Sequence, residues 1–149
     1  MEKMSLNEIN KILTEYKTIA VVGLSRDPNK DSYRVSVYLK NHGFRIIPVN
    51  PFADQVLGEK SYKSLLEIPV DIQKTIDVVD VFRPAEDVPL IVEQAFKLKE
   101  KHGKPVTIWM QIGVVNEQAA EAAKKAGFTV VMNKCIMAEH MRFFNSDDF

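Results

Sequence analysis

Short apolar runs alternate along the chain with longer segments in which apolar residues recur at helical spacing. The runs rich in β-branched residues predict buried strands over about 19–22, 44–49, 76–82, 106–110 and 128–132. The helical spacing predicts helices over about 5–16, 32–41, 88–101, 117–125 and 136–144. Residues 57–61 are expected to form a short edge strand, followed by a small helix near 64–67, and residues 145–149 are expected to fray.

This alternation of strands and helices predicts an open, doubly wound parallel sheet with helices on both faces, a Rossmann-like α/β fold. We expect the 149 residues to form a single domain, with an N-terminal helix over about 5–16 and a core over about 17–140. Ligands of such sheets bind outside the carboxyl ends of the strands, where the strand order reverses. The residues that follow the predicted strands are therefore the first candidates for a site.

The segment after the first predicted strand has the make-up of an anion site. Gly23 ends this strand, and its missing Cβ allows a sharp turn and a close approach of a ligand to the backbone. The loop then leads into a helix whose free N–H groups and dipole favour a phosphate. Side chains that suit an anion surround the loop: Ser25, Arg26, Lys30, Ser32 and Arg34. The spacing matches neither G-x-G-x-x-G nor G-x-x-x-x-G-K-[ST], the standard nucleotide motifs.

Composition narrows the range of functions. Lysine plus arginine equals aspartate plus glutamate at 20 each, so no overall positive field collects nucleic acid. The first residues lack the apolar core of a signal peptide, and no apolar run has membrane-spanning length. The single cysteine, Cys135, allows no internal disulfide framework. We therefore expect a cytoplasmic protein that binds neither nucleic acid nor membrane.

Five motifs in a fixed order carry a resemblance to a known family. They are V-V-G-L-S-R-D-P-N-K-D-S-Y-R-V at 21–35, P-V-N-P at 48–51, D-V-F-R-P at 80–84, W-M-Q-I-G-V at 109–114 and C-I-M-A-E-H at 135–140. With these motifs the chain resembles the small bacterial and archaeal CoA-binding proteins, which are related to the CoA-binding domain of the succinyl-CoA synthetase α subunit. The resemblance covers nearly the whole chain.

The resemblance implies that the protein binds coenzyme A or an acyl-CoA. It places the CoA phosphates at the loop after the first strand, on Gly23, Leu24, Ser25 and Arg26, with Lys30, Ser32 and Arg34 close by. It also implies that Asn50 and Pro51 line the pocket near the nucleotide, and that Val81, Phe82 and Arg83 contact adenine and a nearby phosphate. Met110, Gln111 and Gly113 would border the pantetheine path. Arginine suits this ligand because its guanidinium grips a phosphate with two hydrogen bonds.

The resemblance implies binding and stops short of catalysis. The phosphohistidine of the synthetase lies in a second domain that has no counterpart in these 149 residues, so we expect a ligand-binding protein without catalytic residues of its own. Two alternatives stay open: a CoA-binding subunit of a ligase or transferase whose catalytic part is another chain, or an NAD(P)-binding module. The second strand ends at Asn50 rather than at an acidic residue for the ribose hydroxyls, which argues against NAD. The protein partners to consider are a second copy of the chain and a catalytic partner chain.

Cys135 has two interpretations. A free cysteine is commonly a small buried hydrophobe, and the end of a strand suits that role. Alternatively, Cys135 faces the thiol of CoA and forms a mixed disulfide with it, a redox role in which CoA is stored or protected.

The remaining candidates are histidines, an acid and aromatic residues. His42 and His102 each precede a glycine that ends a helix, which favours surface positions at the helix C-termini. No histidine has paired ligand spacing, and we predict no metal. Asp80 is expected near a strand end with a hydrogen-bond partner, the alternative being a buried acid. Three aromatic residues are candidates to stack on adenine, with Phe82 favoured because it is nearest a strand end, over Trp109 and Tyr33.

Overall fold

The structure is a computed structural model that describes residues 4–144. Its helices are α1 Leu6–Glu15, α2 Asp31–Asn41, α3 Val70–Gln73, α4 Val88–His102, α5 Glu117–Lys125 and α6 Ile136–Phe144. Its strands are β1 Thr18–Val22, β2 Arg45–Val49, β3 Gln55–Val56, β4 Glu59–Lys60, β5 Val78–Val81, β6 Thr107–Met110 and β7 Thr129–Val131. Short 3-10 turns occupy Leu65–Glu67 and Ala85–Asp87.

The five longer strands form one parallel sheet in the order β2-β1-β5-β6-β7. From β1 the chain steps outward to β2, and from β5 it steps outward in the opposite direction to β6 and β7. The strand order therefore reverses between β1 and β5, which are neighbours in the sheet. The predicted Rossmann-like α/β fold is confirmed.

Apolar side chains cover both faces of the sheet. In β5, Val79 and Val81 face the core under α4 and α5, whereas Val78 faces the core under α1, α2 and α6. Burial on both faces explains why the strands read as continuous apolar runs. None of the helices within residues 4–144 is long and apolar enough to cross a membrane.

The start of α1 is specified by hydrogen bonds between neighbouring residues. Ser5 is the N-cap, its hydroxyl accepts a hydrogen bond from the Glu8 N–H at 3.1 Å, and the Glu8 carboxylate accepts one from the Ser5 N–H at 3.3 Å. This reciprocal capping box satisfies two of the N–H groups that a helix N-terminus leaves without intrahelical partners. Helices α5 and α6 likewise have the bounds that the sequence predicts.

The short edge strand predicted over 57–61 is present only at Glu59–Lys60, which form β4. Leu57 and Gly58 have φ angles of 56° and 75°, and two consecutive residues with positive φ make a tight hairpin turn between β3 and β4. The hairpin forms its own two-stranded antiparallel sheet, and Tyr62, just after it, forms an isolated parallel bridge with Val49 of β2. Helix α3 is too short for its spacing to predict it. The predicted fraying of 145–149 lies outside the described residues.

Candidate functional site: a cleft at the carboxyl edge of the sheet

Gly23 sets the spacing between the carboxyl ends of β1 and β5. Its φ is +90°, and a Cβ on this residue would lie 2.6 Å from the Phe82 carbonyl oxygen, so only glycine fits without moving backbone. The Gly23 N–H donates to the Val49 carbonyl at 2.9 Å. Gly23 therefore joins three strand ends, and its N–H is used within the fold.

The loop from 24 to 30 is held by its own side chains. The Ser25 N–H donates to the Ser32 hydroxyl at 2.9 Å, the Asp27 N–H to the Ser25 hydroxyl at 3.0 Å, and the Asn29 N–H to the Asp27 carboxylate at 2.9 Å. These three loop amides are therefore engaged within the fold. They fix the loop, from which the Arg26 and Lys30 side chains project into solvent. Lys30, the N-cap of α2, makes no side-chain capping bond.

Two arginines beside the loop are paired with neighbouring carboxylates. Arg34 donates to the Asn29 carbonyl at 2.7 Å and to the Asp31 carboxylate. Arg83 donates from Nε and from a terminal nitrogen to the same oxygen of Asp87, at 3.1 and 2.8 Å. Both arginine side chains are about half exposed, at 56% and 49%. Exposed ion pairs of this kind contribute about 0–1 kcal/mol, so a phosphate can compete for either guanidinium.

A cleft of about 500 Å³ opens beside the β1–β5 reversal point. It brings together six of the residues that the sequence proposed: Arg34, Phe82, Arg83, Gln111, Gly113 and Cys135. Its remaining lining is formed by Asp31, Val35, Pro84, Ile112, Val114 and Met137. The lining is therefore mixed and contains two guanidinium groups together with several apolar side chains.

The remaining lining residues all lie inside the sequence motifs but were not singled out as site residues. Pro84, Ile112 and Val114 follow strand ends, so their position at the sheet edge was a usable signal. The place of Met137 on the cleft wall depends instead on how α6 packs across the sheet.

The other sequence candidates do not line this cleft with their side chains. Leu24, Val81 and Met110 are fully buried in the core. Asn50 acts as a bracket after β2, because its amide nitrogen donates to the Leu24 carbonyl at 2.9 Å and its amide oxygen accepts from the Phe52 N–H at 2.8 Å. Pro51 beside it is exposed. Contacts of these residues with a ligand stay predictions.

Asp80 is a buried acid immediately behind the cleft wall. It has no solvent exposure, and one carboxylate oxygen accepts a hydrogen bond from the Gln111 amide nitrogen at 2.7 Å. Burial raises the pKa of Asp80 from 3.8 to about 7, and the bond from Gln111 lowers it in part. The expected hydrogen-bond partner is present and Asp80 is one residue from the end of β5, and the residue is at the same time the buried acid of the alternative.

Cys135 lies on the cleft wall and is half-buried. Its carbonyl accepts the first backbone bond of α6, from the Glu139 N–H at 3.0 Å. Of the three aromatic candidates, only Phe82 lines the cleft. Trp109 is fully buried, its indole N–H donates to the Lys134 carbonyl at 2.8 Å, and Tyr33 packs against the core.

The histidines lie away from the cleft lining. His42 is exposed near the end of α2, with a ring nitrogen 2.7 Å from the Tyr38 carbonyl, and a ring nitrogen of His102 lies 3.1 Å from the Gln73 amide oxygen. His140 is buried with its Nδ1 2.7 Å from the Tyr38 hydroxyl, and burial, with His42 and Lys17 nearby, lowers its pKa to about 4. Residues 4–144 contain no group of three or more His, Cys, Asp or Glu placed to hold a metal ion.

Comparison with known proteins identifies a family and several relatives of this chain. A family model described as "CoA binding domain" matches residues 17–141. The uncharacterized protein YneT of Bacillus subtilis is 42% identical over 140 residues, which are 94% of this chain and 97% of that protein. A solved structure of a hypothetical protein from Pyrococcus horikoshii is 38% identical, with a TM-score of 0.84 over 95% of this chain and 98% of that one. An ADP-forming acetate–CoA ligase of Methanocaldococcus jannaschii is 28% identical over 129 residues, and the match covers 85% of this chain but 18% of the ligase.

Proposed function

The chain belongs to the CoA binding domain family, and on that premise we propose that it binds coenzyme A or an acyl-CoA in the cleft beside β1 and β5. The observation that carries this proposal is the mixed lining of the cleft. CoA has a pyrophosphate and a ribose 3′-phosphate at one end and a largely uncharged pantetheine arm at the other. A cleft that offers both guanidinium groups and apolar side chains suits such a ligand.

The phosphates are assigned to the basic side chains around the loop. Arg34 and Arg83 line the cleft, and Arg26 and Lys30 stand free on the adjacent loop. Within residues 4–144 the Arg26 and Lys30 side chains make no hydrogen bond or ion pair, so binding a phosphate breaks no existing contact of either group. Phe82 is assigned to adenine, because it is the aromatic candidate on the lining.

The pantetheine arm is assigned to the wall formed by Gln111, Gly113 and Met137, with Cys135 near its thiol end. The Gly113 N–H already donates to the Asn133 side-chain oxygen at 2.8 Å. The polar contact that this wall offers to an amide of pantetheine is therefore the Gln111 side chain.

Calorimetric titration with CoA, dephospho-CoA and NAD tests the proposal, after native mass spectrometry has excluded a ligand retained from expression. We expect CoA to bind, and dephospho-CoA to bind more weakly because it lacks the 3′-phosphate. A charge-assisted hydrogen bond contributes about 1.5–3 kcal/mol, which sets the expected difference at roughly ten- to a hundredfold. Binding of NAD without binding of CoA would overturn the proposal and favour a dinucleotide-binding module.

A second candidate role is that of a CoA-binding subunit whose catalytic part is another chain. The match to an acetate–CoA ligase favours it, because the matched segment is less than a fifth of that ligase. The protein by itself is then expected to bind CoA without forming acetyl-CoA from acetate, ATP and CoA. Recovery of that activity together with a copurifying chain would support the subunit role.

The reactivity of the Cys135 thiol gives an independent test of where the ligand binds. Acetyl-CoA carries no free thiol, so we expect it at saturating concentration to slow alkylation of Cys135 by iodoacetamide severalfold, because the cleft wall that holds the sulfur becomes covered. Mass spectrometry follows the label, and Cys135→Ser, which leaves the chain without cysteine, gives the background. An alkylation rate that acetyl-CoA leaves unchanged would contradict the assignment of Cys135 to the thiol end.

The same cysteine provides a test of the mixed disulfide. With CoA disulfide as co-reactant, the Cys135 thiolate attacks one sulfur, the Cys135–CoA disulfide forms and one CoA thiol leaves, so that atoms and electrons balance. We expect a mass increase of one CoA less two hydrogens, one from each thiol, and a reductant should remove this mass. A folded protein that gains no such mass would restrict Cys135 to lining the cleft.

A further inference from the structure

Asp80 occupies an unusual place for an acid. It is the third residue of β5, in register with Val21 of β1 and Trp109 of β6, and it has no solvent exposure. Its neighbours Val79 and Val81 face the core under α4 and α5, so Asp80 faces the other side, under α2 and α6. An ionised carboxyl group in such a place costs free energy unless hydrogen bonds or an opposite charge compensate for the lost water.

Gln111 connects this carboxyl group to the cleft. The Gln111 side chain lines the cleft and donates its amide N–H to Asp80 Oδ1 at 2.7 Å. Within residues 4–144 the other amide atom, Oε1, accepts no hydrogen bond, yet it is not among the buried atoms without a partner. The Gln111 oxygen is therefore accessible, and the accessible side of this residue is the cleft.

A side-chain amide has a donor NH₂ group and an acceptor oxygen. When one of the two is hydrogen-bonded inside the protein, the other faces the cleft. An ionised Asp80 only accepts hydrogen bonds, which turns the Gln111 NH₂ group inward and the oxygen toward the cleft. A neutral Asp80 carries an O–H that can donate to the Gln111 oxygen, which turns the NH₂ group toward the cleft. The protonation state of Asp80, which does not line the cleft, thus determines whether Gln111 offers the cleft a hydrogen-bond acceptor or a donor.

We propose that Asp80 is a positioning residue that sets the hydrogen-bonding polarity of Gln111 at the cleft wall, so that its ionised form selects ligands carrying an N–H donor at this position. Secondary amides, such as the two in pantetheine, are the matching class. The choice of this ligand class rests on the proposed function, whereas the coupling between Asp80 and Gln111 is a property of the protein alone.

Among residues 4–144, no titratable neighbour shares the proton of the Asp80 carboxyl group, whose hydrogen-bond partner is Gln111. The flanking positions on β1 and β6 are valine and tryptophan, which do not titrate. The ionisable or charged groups that face this core from α1, α2, α6 and the adjoining turns, or lie at its cleft end, include Tyr16, Lys17, Asp31, Tyr33, Arg34, Tyr38, Arg83, Asp87, Cys135, Glu139, His140 and Arg142. None of these groups within the described residues hydrogen-bonds to Asp80. Burial raises the pKa of Asp80 to about 7, so both of its states are accessible near neutral pH.

The first experiment observes the protein without ligand. The side-chain NH₂ resonances of Gln111, identified by their loss in Gln111→Met, are followed by NMR from well below to well above pH 7. We expect them to shift with the titration of Asp80 in the wild type and to stay unchanged in Asp80→Asn. Glu139→Gln is the matched control, because Glu139 is also a buried acid on this face but has no bond to Gln111. Gln111 resonances that ignore pH in the wild type would overturn the proposal.

The second experiment measures binding of dephospho-CoA over the same pH range. This ligand lacks the phosphate monoester, whose second pKa of about 6 would otherwise contribute to the profile. We expect wild type and Glu139→Gln to bind two- to tenfold more tightly above pH 7 than below it, the worth of one hydrogen bond. Asp80→Asn and Gln111→Met are expected to give flat profiles.

The outcomes separate this inference from the proposed function. Parallel pH profiles in wild type and Asp80→Asn would overturn the selection by Asp80 while leaving CoA binding intact. Absence of CoA binding at every pH would overturn the proposed function and the ligand class, while the NMR titration still decides whether Asp80 controls Gln111. Thermal unfolding of each variant verifies that the fold is retained.

Discussion

The contribution of Asp80 to the free energy of unfolding is expected to fall by about 4 kcal/mol as the pH rises from about 4 to above 7. The pKa of this carboxyl group rises from 3.8 to about 7 in the folded protein because of its burial. Between these values the folded protein holds a proton that the unfolded chain has released. Each pH unit in that interval therefore removes about 1.4 kcal/mol, and roughly three units give the total.

Denaturant titrations at a series of pH values test this expectation through the difference between wild type and Asp80→Asn. The variant cannot ionise at this position, so its profile lacks the decrease while all other groups titrate alike. The readout is the pH dependence, since the absolute stability of the variant also includes the packing of the new amide. Identical pH dependence in both proteins would show that Asp80 does not carry this proton.

His140 contributes to the pH dependence of stability with the opposite sign to Asp80. The Asp80 contribution is therefore obtained as the difference between wild type and Asp80→Asn. Its pKa is lowered from 6.5 to about 4 by burial and by His42 and Lys17, so stability is lost as the pH falls through this interval. In the raw profile of the wild type the two buried groups partly offset each other between pH 4 and 6.5. His140→Gln removes this opposing contribution and should make the Asp80 decrease more visible.

Removal of two arginines is expected to have the largest effect on ligand binding. Arg26 stands free on the loop after β1, and Arg83 lines the cleft on the segment after β5. If each gives a charge-assisted bond to a CoA phosphate worth about 1.5–3 kcal/mol, Arg26→Ala with Arg83→Ala should raise the Kd by two to four orders of magnitude. The affinity of the wild type should also fall as salt increases.

The matched control removes two positive charges from the opposite edge of the sheet. Arg45, at the start of β2, and Lys101, near the end of α4, are exposed and lie away from the cleft. Arg45→Ala with Lys101→Ala should leave the affinity for CoA nearly unchanged. Both double variants should unfold close to the wild type, because the Arg83–Asp87 pair is an exposed ion pair. Equal affinity in the two double variants would mean that the phosphates bind elsewhere.

Much of the fold was predictable because its signals are local or periodic. The capping box of Ser5 and Glu8 sets the start of α1 from four consecutive residues. Burial on both faces makes β5 a continuous apolar run, and Gly103, with a φ of +76°, ends α4 as its position after the helical spacing predicts. Parallel strands place their carboxyl ends at one edge, so even the side of the sheet that carries the cleft followed from the order of the elements.

The sequence predicted where the site lies in the fold, but it did not predict which atoms of the site contact one another. Arg34 and Arg83 have the charge that a phosphate requires, but their pairing with Asp31 and Asp87 appears only in three dimensions. Ser25 and Ser32 have the hydroxyls expected at an anion site, but they hold the loop through its own amides. Many residues near the cleft thus have structural partners that no spacing rule predicts.

The sequence by itself determined which segments are strands and helices, that the sheet is parallel, and which edge carries the functional residues. It did so because helix capping, helical spacing and continuous apolar runs are properties of neighbouring residues in the chain. Only the tertiary structure decided that Gly23 must be glycine to clear the Phe82 carbonyl, that Met137 lies on the cleft wall, and that Asp80 meets Gln111 across 31 positions. Such contacts depend on how elements far apart in the chain pack together, and packing is a property of the whole fold.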